Sequence, residues 1–251
     1  MTLQELFQNI ADAIREKTGE TGKLKPTDFP EKIKEITTSG VTQEYVDSIL
    51  GSEIKSVTNN TLIYLQGTAF AYNANLKYIE LTNAWGVSAR TLQYAYNLET
   101  AKFPVLTYVG SYAFEGCSSL VDLQIPNAER IDNYAFKGCT ALPEILFERN
   151  VTIGSYAFQG CTALGKVELK QYGTFSANAF NGCKSLKAVI LRNVNYNPAP
   201  KPNVFTGTPI ADGGGYLYVS RSDYTWIRYE SDWTENYDIR IIEDWPDITG
   251  G

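Results

Sequence analysis

The chain has no histidine among its 251 residues. That absence removes Ser-His and Cys-His nucleophile pairs and every histidine metal site. It also lacks the glycine-rich loops of P-loop or dinucleotide type that cradle phosphate. Positive charge is in short supply. Lys and Arg total 22 against 28 Asp and Glu, a formal net charge of -6, so there is no basic footprint for nucleic acid. No apolar run is long enough to span a bilayer. The N-terminus lacks the basic start, apolar middle and small-residue cleavage site of a secretory signal. The expectation is therefore no transmembrane segment and no Sec export, with a virion-associated or cytoplasmic protein unless another route exports it. Cysteine is limited to four residues.

What the chain does have is a repeat. Tyr112-Ala-Phe-Glu-Gly-Cys-Ser-Ser-Leu-Val-Asp-Leu-Gln-Ile-Pro126 recurs from Tyr134 and again from Tyr156, with a looser copy from Asn178. The step is twenty-two residues, and it holds Phe70, Leu92, Phe114, Phe136, Phe158 and Phe180 in one column. Four more apolar columns keep the same register. They run from Leu76 to Leu186, Ile79 to Val189, Leu81 to Leu191 and Leu65 to Phe175. The alternating segment L-x-x-L-x-I reads as a short strand, and the Gly-Cys stretch as a turn. One such coil buries too few side chains to offset the ordering of its backbone. Stacking supplies the missing neighbours and a continuous core.

Y-A-F-x-G-C-x-x-L-x-x-L-x-I-P resembles the BspA-like leucine-rich repeat family over about residues 54–245. The resemblance implies an α/β, right-handed solenoid of 22-residue coils with parallel strands on its concave face. It also implies adhesion or protein binding on bacterial surfaces, in parasites or in phage-associated proteins. In the first two coils Tyr72-Asn73 and Tyr94-Ala95 stand in place of Gly-Cys, so looser or altered turns are expected there.

The organisation follows from the register. Residues 1–40 form an N-terminal segment and linker, 41–245 the solenoid with its caps (coils about 54–210), and 246–251 a tail. Leu3, Leu6, Phe7, Ile10 and Ile14 share one face of a predicted helix over 2–17. Asp28 and Glu31 make a capping box for a second, short helix carrying Ile33 and Ile36. Ala11–Gly19 followed by Lys25–Phe29 resembles a short module of phage tail proteins. Two readings of this hairpin stay open: attachment or homo-oligomerisation through residues 1–36, and packing on the solenoid. A helix over 42–50 is expected to cap the open stack end, with a first strand at 54–58. At the other end Phe205 comes twenty-five residues after Phe180, an insertion placed in the proline-rich Asn193–Asn203. Ser220 or Ser222 is expected to cap a helix running to about Trp233. Trp226, Ile227, Tyr229, Trp233 and Trp245 read as a capping core or an aromatic ligand site.

Candidate functional residues come from the same columns. Cys117, Cys139, Cys161 and Cys183 stack too far apart for one tetrahedral metal site. Their readings are buried free thiols or two pairs, Cys117–Cys139 and Cys161–Cys183. Tyr112, Tyr134 and Tyr156 read as an edge-to-edge packing column on the outer arc or as a contact stripe for protein or carbohydrate. Strand alternation turns Tyr78, Thr100, Asp122, Glu144, Lys166 and Ala188 outward, together with Glu80, Lys102, Gln124, Leu146, Glu168 and Ile190. Asp122 and Glu144 could supply a glycosidase carboxylate pair, but with Lys166 beside them a charge ladder is the simpler reading. The binding candidates on this face are Tyr78, Glu80, Lys102, Asp122, Gln124, Glu144, Lys166 and Glu168. No catalytic residue, metal site or cofactor is expected. The functional expectation is a non-enzymatic recognition or adhesion module for a protein or carbohydrate on a cell surface, phage tail-associated or on a bacterial surface. The alternative is a structural spacer assembled through its N-terminal helices.

Overall fold

The computed structural model describes residues 56–60, 63–65, 67–68, 70–171, 173–192, 202–227 and 237–241. From Ser56 to Phe175 the coils have three sides: a strand, a second shorter strand and a turn arc. Numbered along the chain, the first side carries β1 (Ser56–Asn59), β3 (Tyr78–Leu81), β5 (Thr100–Lys102), β7 (Asp122–Gln124) and β9 (Glu144–Phe147). It continues with β11 (Lys166–Leu169), β13 (Ala188–Leu191), β14 (Tyr216–Val219) and β15 (Ile239–Ile241). The second side carries β2 (Tyr64–Leu65), β4 (Gly86–Val87), β6 (Tyr108–Val109), β8 (Arg130–Ile131), β10 (Val151–Ile153) and β12 (Gly173–Phe175).

All of these strands pair in parallel, and the pairing reproduces the sequence register. Val57 lies opposite Ile79, Ile79 opposite Ala101 and Val167 opposite Val189. The insertion shows as a longer step, with Ala188 opposite Tyr216. The period then returns, because Leu217 lies opposite Ile239 twenty-two residues on. The ladder thus continues to Ile241, past the expected end of the coils near residue 210.

The first ladder is split into a four-stranded and a five-stranded sheet between β7 and β9. Pro143 accounts for the split. In neighbouring coils the residue before the strand donates its backbone N–H to the coil before: Val121 to Glu99 O at 3.0 Å, Gly165 to Pro143 O at 2.8 Å. Proline at that place has no N–H to give.

The core is the set of apolar columns. Phe114, Phe136, Phe158 and Phe180 are fully buried, with ring centroids 4.9, 5.1 and 5.4 Å apart. The leucine column from Leu76 to Leu186 is also fully buried. The four cysteines are buried and free. Each thiol donates to the backbone carbonyl of the aromatic-column residue one coil earlier, Cys139 to Phe114 O at 3.2 Å and Cys183 to Phe158 O at 3.0 Å. The two-pair alternative is thereby set aside.

The turn arc is held by its own axial bonds. Phe114 N–H donates to Ala135 O at 2.7 Å and Gly116 N–H to Lys137 O at 2.7 Å. Aiming alternate N–H groups along the axis requires left-handed residues on either side of the phenylalanine, Tyr112 at φ 61° and Gly116 at 74°. Tyr72 (59°) and Tyr94 (60°) take the glycine's conformation, and their N–H groups still reach Gln93 O at 2.7 Å and Glu115 O at 2.6 Å. The expected alteration of those turns is therefore not found. A bulky L-residue held there costs roughly 1–2 kcal/mol, which glycine would avoid.

Further expectations need correction. The α/β label gives way to a β-solenoid, because helix among the described residues is limited to α1 (Arg221–Ile227) and a 3-10 turn at Pro202–Phe205. Ser220 caps α1, its Oγ accepting from Asp223 N–H at 3.1 Å. The last described element is the edge strand β15, not a helical cap. The tyrosine column stacks face to face, with planes 6° and 2° apart, rather than edge to edge. Parallel strands occupy two sides of the coils between Ser56 and Phe175, not one. The expected helices over 2–17, 28–36 and 42–50 lie outside the described residues, as do the side chains of Trp226, Ile227, Tyr229, Trp233 and Trp245.

Candidate functional site

Short strands with alternating burial place the expected site on the outer surface of the first ladder. β3, β9 and β11 each alternate between buried and more exposed residues, so inward Ile79, Ile145 and Val167 anchor the outward side chains. All eight candidates fall on this surface. They form two groups on either side of the break at Pro143.

In the first group Tyr78 donates its hydroxyl to Glu80, a bond that raises the Tyr78 pKa above its ordinary value. Lys102 Nζ lies 5.9 Å from the Tyr78 ring centroid and 3.9 Å from Asp122. Gln124 Nε2 donates to Asp122 at 3.0 Å. In the second group Lys166 meets Glu144 at 2.6 Å. Glu168 is met by Arg192 at 2.6 Å. Arg192 was missed because it lies one residue beyond β13, although the outward alternation 188, 190, 192 reaches it. Exposed Leu146 lies opposite Glu168 on the neighbouring strand.

Two outward positions are not exposed. Ala188 (2%) and Ile190 (4%) are buried in a small cluster with Tyr218 and Tyr216, on the opposite face of the ladder from the main core. The row of exposed candidates on the strands therefore ends before β13. Its carboxylates are partnered by cations on adjacent coils, Asp122 by Lys102 and Glu144 by Lys166. That is the arrangement of a charge ladder. Among the described residues no group of three or more Cys, Asp or Glu is placed to hold a metal ion, and no helix is long and apolar enough to cross a membrane.

A stack of parallel strands with period twenty-two, phenylalanine and leucine columns inside and variable residues outside defines a leucine-rich-repeat solenoid. The chain belongs to the BspA type leucine rich repeat family, which matches it in six copies over residues 13–121 and 87–208. Among solved structures it is similar to a Treponema pallidum leucine rich repeat protein, at 24% identity, covering 45% of this chain and 58% of that one, TM-score 0.39. It is similar also to the pneumococcal vaccine antigen PcpA, at 18% identity over 75% of this chain and 41% of that one, TM-score 0.47. A leucine-rich repeat protein from Bacteroides ovatus shares 18% identity, covering 75% of this chain and 60% of that one, TM-score 0.37. The chain thus spans between 41% and 60% of the lengths of these structures. No curated protein matches it significantly.

Proposed function

We propose that the protein is a non-enzymatic recognition and adhesion module that binds a protein or glycan on a cell surface. The observation that carries this reading is a variable outer surface on an invariant frame. Inward columns stay apolar from coil to coil, while the outward row Tyr78, Thr100, Asp122, Glu144 and Lys166 changes charge and size. Strands hold these side chains rigidly, so little ordering entropy is lost on binding. The resemblance of Ala11–Gly19 and Lys25–Phe29 to a phage tail module supports a phage tail as the carrier, with a bacterial surface as the other setting.

One observation favours the spacer reading. The outward charges satisfy one another, as in Glu144–Lys166 and Glu168–Arg192, which leaves fewer groups for a partner. The test is a binding screen of the whole chain against cell-surface proteins and glycans, combined with sedimentation to fix its assembly state. The module reading expects a ligand whose binding is abolished by Glu144→Lys with Lys166→Glu. That double reversal keeps the ion pair, and exposed pairs contribute only about 0–1 kcal/mol, so the melting temperature stays put. Defined oligomers with no ligand in either library would establish the spacer instead.

A further inference from the structure

The turn arcs of the first two described coils carry aromatic rings that the fold does not need. At the column occupied by Gly116, Gly138, Gly160 and Gly182, all with φ between 71° and 75°, these coils hold Tyr72 and Tyr94 in the same left-handed conformation. The turn uses their backbone groups alone, Tyr94 N–H donating to Glu115 O at 2.6 Å and Tyr94 O accepting from Tyr96 N–H at 2.9 Å, so glycine would serve the turn better. Nor are the rings taken up by the core. Tyr72 is 65% exposed, and Tyr96 is 48% exposed at the place where the next coil has Ser118.

The three rings form one surface. Tyr72 and Tyr94 have centroids 5.2 Å apart at 42°, and Tyr94 and Tyr96 5.7 Å apart at 28°. Tyr94 lies in the space left by Gly116, where an added Cβ would come within 2.5 Å of the ring. The central ring is thus seated by the absence of a side chain beneath it. Tyr72 and Tyr94 keep a left-handed backbone, Tyr72 and Tyr96 are exposed and Tyr94 is half-buried, and such retained strain beside open rings points to a use for them.

The rim of the surface is polar and electrically compensated. Glu115 is buried, and its two oxygens are taken by Gln93 Nε2 at 2.6 Å and Lys137 Nζ at 3.0 Å. Lys137 remains partly open, and its charge is answered by Glu115, so the surface offers nothing to a polyanion. The chain's charge of -6 argues the same way. Three rings are also too small for a stable protein interface, which needs roughly 800 Å² from each partner. A neutral sugar fits both constraints. The apolar C–H face of a pyranose rests on an aromatic face, and its rim hydroxyls need polar groups beside it. Tyr72 and Tyr94 sit on successive coils with centroids 5.2 Å apart, close to the length of one hexose unit in an extended chain, and Tyr96 widens the surface beside Tyr94 within its own coil.

We propose that Tyr72, Tyr94 and Tyr96 form a platform for a neutral hexose oligosaccharide, with Gln93 and Lys137 on its rim. It lies on a different side of the coil from the outward residues of the first ladder, so the two sites stand or fall separately. The test is calorimetric titration of the whole chain with cello-, malto- and chito-oligosaccharides of increasing length. The comparison variant is Tyr72→Gly, Tyr94→Gly and Tyr96→Ser combined, which installs the residues that Gly116 and Ser118 supply in those columns and does not threaten the turn. The expected result is binding of at least one series that strengthens with length, weakened roughly tenfold or more in the variant. The variant should melt close to the parent, and Glu144→Lys with Lys166→Glu should bind the sugar normally. Failure of every series to bind would overturn the proposal, as would unchanged binding in the variant. So would a marked fall in its melting temperature, which would assign the rings to turn packing. Capture of a protein ligand through these tyrosines, with no sugar bound, would overturn it as well.

Discussion

The early coils around Tyr72 and Tyr94 and the central coils from Tyr112 to Leu169 share one backbone but different side-chain chemistry. In the centre the repeat is almost literal: Gly116, Gly138 and Gly160 make the left-handed turn, Cys117, Cys139 and Cys161 fill the space behind it, and phenylalanines stack above. In the early coils tyrosine holds the turn position, and Asn73 and Ala95 take the cysteine column. Asn73 is 3% exposed, and its Oδ1 accepts from the N–H groups of Asn75 and Leu76 at 2.9 Å. Among the described residues its Nδ2 has no hydrogen-bond partner, and a buried amide left so costs about 1–3 kcal/mol. The difference teaches that axial hydrogen bonds set the coil's shape, whereas side chains set how economically a coil adopts it.

The largest expected effect that sharpens this comparison is at Phe136, stacked between Phe114 and Phe158. Phe136→Ala should cost about 3–5 kcal/mol by chemical denaturation. Phe70→Ala should cost less, because Phe70 is slightly exposed and its neighbour in the column is Leu92. Equal losses would erase the distinction between centre and end, and unchanged stability in Phe136→Ala would remove the column from the core.

Next comes the turn. Gly138→Ala meets only ordinary contact, 3.8 Å to Gly116, so its cost is the left-handed φ of 75°, roughly 1–2 kcal/mol. Tyr94→Gly releases a similar strain but loses ring contacts of about 0.5–1.5 kcal/mol each, and should come out within about 1 kcal/mol of neutral. A large loss in Tyr94→Gly would mean that the early turns depend on their tyrosines.

The thiols separate the regions by alkali. Burial pushes the pKa of Cys117, Cys139 and Cys161 up from the ordinary thiol value. Since the unfolded thiols ionise near pH 8.5, the unfolded chain binds fewer protons than the native one above that pH. Stability from this source is therefore full below about pH 8.5 and declines as pH rises further. A Cys139→Ala variant should show a shallower decline. In the parent, labelling should require denaturant, and the intact mass should be that of the reduced chain. The smallest effect is expected at the exposed Lys77–Glu99 and Lys170–Glu148 pairs, where Lys→Ala should shift stability by no more than about 1 kcal/mol.

Much of this was legible because one register controls the whole stack. Phe114, Leu120 and Ile125 recur at fixed spacing, so their burial and the parallel pairing of successive coils followed from the repeat. The second ladder was less visible: Tyr108-Val109 and Arg130-Ile131 are two-residue strands, too short to show alternation. Only Val151-Thr152-Ile153 carries a β-branched pattern. The strain at Tyr72 and Tyr94 was hidden for a different reason. Sequence shows that glycine is missing, but not whether the backbone yields or the side chain does. Ala188 and Ile190 obeyed the outward alternation and were buried all the same, because periodicity tells which face a residue is on and not what covers that face.

Pro143 carries a consequence for how the stack comes apart. Because each coil touches only its neighbours, the solenoid behaves as a line of linked units whose opening spreads from one to the next. A missing donor at one junction weakens that link while the links on either side keep theirs. Amide exchange under mildly destabilising conditions should then divide the ladder into two blocks, Ser56–Gln124 and Glu144–Ile241, each protected as a unit with its own opening free energy. A single imino acid would thus set the grain along which a continuous-looking rod first yields.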